Sequence, residues 1–186
     1  MKLVLGVSGS IGAYKAVDIM RYFQKNGHEV TVVMTRAATR IIAPLTFATF
    51  APGMVYQELF AEGQDPLLHI NLSKENELLL VAPATANIIG KMANGIADDL
   101  LSTLFCAFFR RVVVAPAMNT HMLENPAVTD NIARLQPDTA GSLYLSGLGH
   151  KGLGQTAQGR QDFTIALTLK RDHRRCRWQL DGFDPH

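Results

Sequence analysis

The stretch Leu78-Leu79-Leu80-Val81-Ala82-Pro83-Ala84-Thr85-Ala86-Asn87-Ile88-Ile89 decides the fold class of this chain. Its opening apolar run reads as a strand buried on both faces, as strands of parallel sheets are. Small residues then make a tight corner, and a helix is expected from about Asn87, carrying Ile88, Ile89, Met92, Ile96 and Leu100 at helical spacing. Open α/β sheets bind anionic ligands where the carboxyl end of a strand meets the free N–H groups of a helix. Short side chains at that corner let a flat ligand approach the backbone.

The chain before this stretch repeats the pattern. Lys2 to Val7 reads as a buried strand, Ser8-Gly9-Ser10-Ile11-Gly12-Ala13 as its turn, and the following residues as a helix with Ala16, Ile19, Met20 and Phe23 inward. Asn26-Gly27 stops that helix and Glu29 to Met34 forms the next strand, so the first two strands are expected to be parallel. The Ser8-Gly9-Ser10 turn suits a phosphate or ribityl group, or is a plain strand-to-helix turn; the spacing of a dinucleotide fingerprint is missing. A helix is expected from Ala38 to about Phe50 with Thr35 to Ala38 as its cap, and a short strand at Met54-Val55-Tyr56. His69-Ile70-Asn71-Leu72 alternates polar and apolar just before the central strand. A lone histidine is more often structural than catalytic, and only its place beside the central stretch makes His69 a candidate.

Beyond the centre, Arg111 to Ala115 reads as another buried strand running into Pro116-Ala117-Met118-Asn119-Thr120-His121-Met122, and a helix restarts at Glu124-Asn125-Pro126. Three corners (8–13, 82–87, 116–122) therefore fall on one edge of a parallel sheet, and one flat ligand touching all three accounts for them economically. Ser142 to Leu145 is a possible strand by pattern, 146–155 a Gly-rich flap and Asp162 to Leu169 a short helix.

Length and composition fit one globular unit. The 186 residues are 47% hydrophobic and 18% charged with a net charge of +2, which implies no nucleic-acid partner. The expected organisation is one domain over 1–170 and a basic tail over 171–186, solvated by default. Cys106 and Cys176 form no metal or disulfide pattern, and Cys106 reads as a small buried hydrophobe. No run approaches a membrane span, so a cytoplasmic protein with no membrane partner and no metal is the expectation.

Four segments, 6–15, 69–72, 83–103 and 116–122, occur in the order and at the spacing of the flavin-containing cysteine decarboxylases, which this chain resembles over about residues 1–135. Within that family it is most similar to the enzymes acting on 4′-phosphopantothenoylcysteine in coenzyme A biosynthesis. The resemblance implies a three-layer, flavodoxin-like (Rossmann-type) parallel sheet holding FMN. It implies a homotrimer or trimer-based dodecamer with the site at a subunit interface, and a separate phosphopantothenoylcysteine synthetase as partner. On that model the substrate thiol is oxidised, CO₂ leaves from the resulting thioaldehyde, and the enethiolate is reduced to 4′-phosphopantetheine. By motif position, His69 is the catalytic base or orienter, and Asn119 is the second catalytic residue and holds the substrate carboxylate. Met122 and Ser146 also meet the substrate. Gly9, Ser10, Ile11, Thr35, Ala37, Thr85, Ala86, Asn87, Ser102 and Ala117 surround FMN.

The flap departs from the family pattern, which reads Ala-Cys-Gly-x-x-Gly-x-Gly-Arg-Met. Here Leu148 or, with a two-residue insertion, Ser146 stands at the cysteine position, and Gln155-Thr156 replaces the Arg-Met pair. A serine is a far weaker acid than a cysteine, so proton delivery to the reduced product is slower or needs water. Two alternatives follow: an oxidative decarboxylase of a peptidyl C-terminal cysteine that releases the enethiol, and, from another class, a non-catalytic flavin-binding regulatory homologue.

Overall fold

The structure, a computed structural model, describes residues 1–135 and 143–144 of the chain. Six parallel strands make one sheet: β1 (Lys2–Val7), β2 (Glu29–Met34), β3 (Val55–Tyr56), β4 (Leu78–Ala84), β5 (Arg111–Pro116) and β6 (Leu143–Tyr144), in the order β3-β2-β1-β4-β5-β6. Setting aside the two-residue edge strand β3, the order is that of flavodoxin-like sheets. Consecutive strands run outward on either side of the β1/β4 pair, so the topological switch point lies between β1 and β4.

Continuous apolar strands follow from covering both faces. Leu3, Leu5 and Val7 of β1 pack with Leu78, Leu80 and Ala82 of β4 on one face; Val4 packs with Leu79 and Val81 on the other. Each face has its own helices. α1 (Ala16–Lys25) and α2 (Pro44–Ala48) cover the first through Ala16, Met20 and Phe47. α3 (Leu68–Glu75), α4 (Ala86–Ala93) and α5 (Leu100–Ala107) cover the second through Leu68, Leu72, Ile88, Ile89, Leu101 and Leu104. Burying each of the Leu, Ile, Met and Phe side chains contributes about 1.5–3 kcal/mol, and this is what holds the three layers together. α6 (Thr120–Leu123) and α7 (Pro126–Leu135) follow β5.

Several local expectations are met: α1 ends before Asn26-Gly27, and the short strands at 55–56 and 143–144 are present. Three need correction. The helix expected from Asn87 through Leu100 is two helices. α4 ends at Asn94-Gly95, with Gly95 at φ 67, and α5 starts anew at a capping box in which Asp99 and Ser102 bond each other's backbone. The helix expected over 38–50 is also broken. A 3-10 turn spans Ala38–Arg40, Ala43 is extended at ψ 137, and α2 starts at Pro44, because a residue before proline is pushed out of the helical region. Cys106 is exposed, since α5 turns Leu100, Leu101 and Leu104 to the sheet and Cys106 away from it. The expected helix at 162–169, the flap and the basic tail lie outside the described residues.

Candidate functional site

The carboxyl edge of β2-β1-β4-β5 is stitched together by contacts between distant parts of the chain. Ser8, 1% exposed, is the central stitch: its hydroxyl donates to the Pro83 carbonyl at 2.7 Å and accepts from the Thr85 N–H at 2.9 Å. On one side Gly9 lies so close to the β2 corner that a Cβ there would come within 2.4 Å of the Ala37 Cβ. On the other side the Ala117 N–H donates to the Ala84 carbonyl at 2.9 Å. Four corners thus lie side by side, one more than the three expected from the sequence pattern. They bring together Thr35, Ala37, Gly9, Ser10, Ile11, Thr85, Ala86, Asn87 and Ala117.

Each corner is fixed locally. The Ser10 hydroxyl accepts from the Gly12 N–H at 3.4 Å at the start of a 3-10 turn. Thr35 Oγ1 accepts from the Ala38 N–H at 3.3 Å. Thr85 caps α4 by accepting from the Ile88 N–H at 3.4 Å, which leaves the Ala86 and Asn87 N–H groups with no partner among the described residues. Unpaired amides at a helix N-terminus attract anions. Residues 8–13, 35–38, 84–87 and 117–119 contain no Asp or Glu, and Arg36 brings a positive charge. Ile11, 81% exposed, offers an apolar side chain at the same edge. A cradle with unpaired amides, small residues and an exposed aliphatic side chain fits a phosphate-bearing planar cofactor such as FMN.

His69 occupies the first turn of α3. That helix leads into the amino end of β4, so it runs against the strands and begins toward their carboxyl edge. The ring is half-buried, and its Nδ1 is enclosed with no hydrogen-bond partner among the described residues. A buried polar atom without a partner calls for an explanation, and a ligand-binding role is one. Asn119 is exposed and caps α6: its Oδ1 accepts from the His121 N–H at 2.9 Å. With the oxygen so engaged, the two Nδ2 hydrogens are left to an incoming acceptor. Met122 is 49% exposed.

Ser102 is placed differently. It is fully buried, its N–H donates to Asp99 Oδ1 at 2.8 Å, and its hydroxyl accepts from the Asp99 N–H at 3.1 Å. Beside it Lys91, its side chain 17% exposed, bonds Asp98 at 2.6 Å and Asp99 at 2.7 Å. Burial works against the Lys91 charge, but the hydrogen bonds it donates to Asp98 and Asp99, with the attraction of the two carboxylates, outweigh it and raise its pKa. The Lys91 hydrogen bond holds the Asp98 carboxyl below its ordinary value. Ser146 lies outside the described residues. Sequence reasoning placed Ser8 in a turn suited to a phosphate or ribityl group, whereas its hydroxyl is spent on Pro83 and Thr85; it did not single out Lys91, whose role depends on partners elsewhere in the chain.

Known proteins resemble this chain in sequence and in fold. The flavoprotein family model matches residues 1–149. The coenzyme A biosynthesis bifunctional protein CoaBC of Bacillus subtilis (strain 168) is 42% identical over 161 residues, which is 85% of this chain and 39% of that protein. The chain therefore spans about two fifths of the length of the bifunctional relatives it matches. A probable phosphopantothenoylcysteine decarboxylase of Streptococcus mutans is 42% identical over 138 residues, 73% of this chain and 77% of that one. Among solved structures, a variant PPC decarboxylase complexed with pantothenoylaminoethenethiol superposes with a TM-score of 0.62 at 31% identity, covering 72% of this chain and 76% of the other. Among the described residues no helix is long and apolar enough to cross a membrane, and no cluster of metal-binding side chains is present.

Proposed function

We propose that this chain, which belongs to the flavoprotein family, is an FMN-dependent carboxy-lyase that decarboxylates 4′-phosphopantothenoylcysteine in coenzyme A biosynthesis. The observation that carries this reading is the four-corner cradle, together with the half-buried imidazole of His69 in the first turn of α3 and the helix-capping carboxamide of Asn119 at the start of α6. The relatives named for that reaction support it.

The cofactor is FMN, which supplies a two-electron acceptor for oxidation of the substrate thiol. Protein groups bind and orient. The corners at Gly9 to Ile11, Thr35 and Ala37, Thr85 to Asn87, and Ala117 hold the cofactor through backbone amides and small side chains. Ser102 acts there through the start of α5. His69 takes the thiol proton, a task that an imidazole nitrogen within hydrogen-bond reach of the thiol can perform. Asn119 donates its amide hydrogens to the substrate carboxylate and adds no charge. A cation in its place would hold the negative charge where it stands and oppose its departure from the carboxylate carbon as CO₂ leaves. Met122 and Ser146 contact the substrate. The assembly is a homotrimer or a trimer-based dodecamer, working with a phosphopantothenoylcysteine synthetase.

A second reading is favoured by one specific feature, the absence of cysteine from the flap. Without that acid the enethiol is released unreduced, as an oxidative decarboxylase of a peptidyl C-terminal cysteine would do. One experiment separates the two. Purified protein is expected to be yellow and to release CO₂ from 4′-phosphopantothenoylcysteine, and product mass distinguishes 4′-phosphopantetheine from an enethiol two hydrogens lighter. His69→Asn should abolish turnover and keep FMN bound. A colourless protein that takes up no FMN would end the proposal, and full turnover by His69→Asn would remove this residue from the mechanism.

A further inference from the structure

Asp65 makes three bonds into the first turn of α3. Its Oδ1 accepts from the Leu67 N–H at 2.9 Å and its Oδ2 from Asn71 Nδ2 at 2.6 Å, while its carbonyl oxygen accepts from the Leu68 N–H at 3.0 Å. Asp65 and Pro66 thus form the turn that leads into the N-cap position, Leu67, and Pro66 with its fixed φ stiffens that turn. The approach to Asp65 is tied as well, since Gln64 Nε2 donates to the Glu58 carbonyl at 2.8 Å. The carboxylate therefore bridges the chain four residues before His69 to a side chain two residues after it. The imidazole lacks such a tether of its own: Nδ1 is buried with no partner among the described residues. A histidine is ordinarily oriented by the bond its second nitrogen makes. Here the orientation has to come from the backbone that carries the ring, and the Asp65–Asn71 clasp is what braces that turn.

We propose that Asp65 is a positioning residue for His69, acting through Asn71 and the first turn of α3. The inference rests on the reading of His69 as the group that takes the thiol proton. It can be tested by exchanging donor and acceptor. A carboxylate serves two N–H donors at once, whereas an amide has a single oxygen, so Asp65→Asn leaves one donor facing another. Asn71→Asp sets two carboxylates together. The two substitutions combined restore a donor facing an acceptor.

Each single variant is expected to lower kcat by roughly tenfold, the size of effect a slightly misplaced catalytic group produces, with KM and FMN content unchanged. The double variant should regain most of that loss. Histidine-labelled protein gives a readout independent of turnover. The His69 ring signals should form one sharp set in the wild type and the double variant, and broaden or split in each single variant. Single variants with wild-type kcat and one sharp set of ring signals would overturn the inference, as would a double variant no better than the singles. Ring signals that respond in this way in a protein with no turnover would leave the clasp standing and defeat the proposed function instead.

Discussion

At the scale of single residues, the site depends on how closely two backbones can approach. Gly9 has no Cβ, and adding one would bring it within 2.4 Å of the Ala37 Cβ and 3.0 Å of the Ala37 carbonyl carbon. The second contact is with backbone, so no rotamer change relieves it. Gly9→Ala must therefore open the junction between the first and second corners, and overpacking of this kind costs about 1–3 kcal/mol. The expected outcome is a lower thermal midpoint together with a smaller flavin content after purification, read by calorimetry and visible absorbance. Unchanged values of both would show that the two corners need not touch. Ser8 illustrates the complementary case, a hydroxyl that bridges two chain segments through the Pro83 carbonyl and the Thr85 N–H.

At the scale of elements, α4 and α5 are joined through charge. Lys91 on α4 holds Asp98 and Asp99 at the start of α5, where Asp99 also caps the helix. The signs of the two pKa shifts define the pH window of this link. The Asp98 pKa is lowered, so its contribution is present above its ordinary value of 3.8 and is lost as pH falls through the folded value. The Lys91 pKa is raised, so its contribution is present below 10.5 and is lost as pH rises through the folded value. Lys91→Met should thus lower the thermal midpoint at neutral pH, and the difference from wild type should shrink in strong acid and in strong alkali. A difference that stays constant from acid to alkali would assign the effect to lost packing of the lysine stem. The break between these helices was legible in hindsight from Asn94-Gly95, the same pair that ends α1. Apolar spacing ran through the break because Ile88, Ile89, Leu100 and Leu101 all face one sheet. The expectation of a buried Cys106 fails for a related reason, since an apolar neighbourhood in sequence does not say which side of a helix is covered.

At the scale of the whole molecule, the cofactor cradle belongs to the folded state alone, because its four corners come from residues up to about a hundred positions apart. A ligand that binds only the folded chain stabilises it by mass action, about 2.7 kcal/mol at roughly one hundred times its Kd. For a chain of 186 residues this corresponds to a rise of about 5–11 °C in thermal midpoint. Titration of flavin-depleted protein with FMN should show that rise, growing with the logarithm of concentration. A midpoint indifferent to FMN would mean that the cradle as folded does not hold it.

By itself the sequence determined the strands around Leu3, Val32, Leu79 and Val113, the parallel arrangement of the first two, and the corners at 8–13, 82–87 and 116–122. These are written in short-range patterns: apolar runs mark the strands, and small or hydroxyl residues mark the turns. The motifs at 69–72 and 83–103 also made the family legible. Only the tertiary structure decided that β1 lies between β2 and β4, that Ala37 meets Gly9, that Ser102 is sealed in a helix cap, and that Asp65 reaches Asn71. The first two depend on strands pairing across stretches of chain whose composition does not record the partner. The last two depend on helix starts, which hydrogen bonds of individual side chains fix and apolar periodicity leaves open.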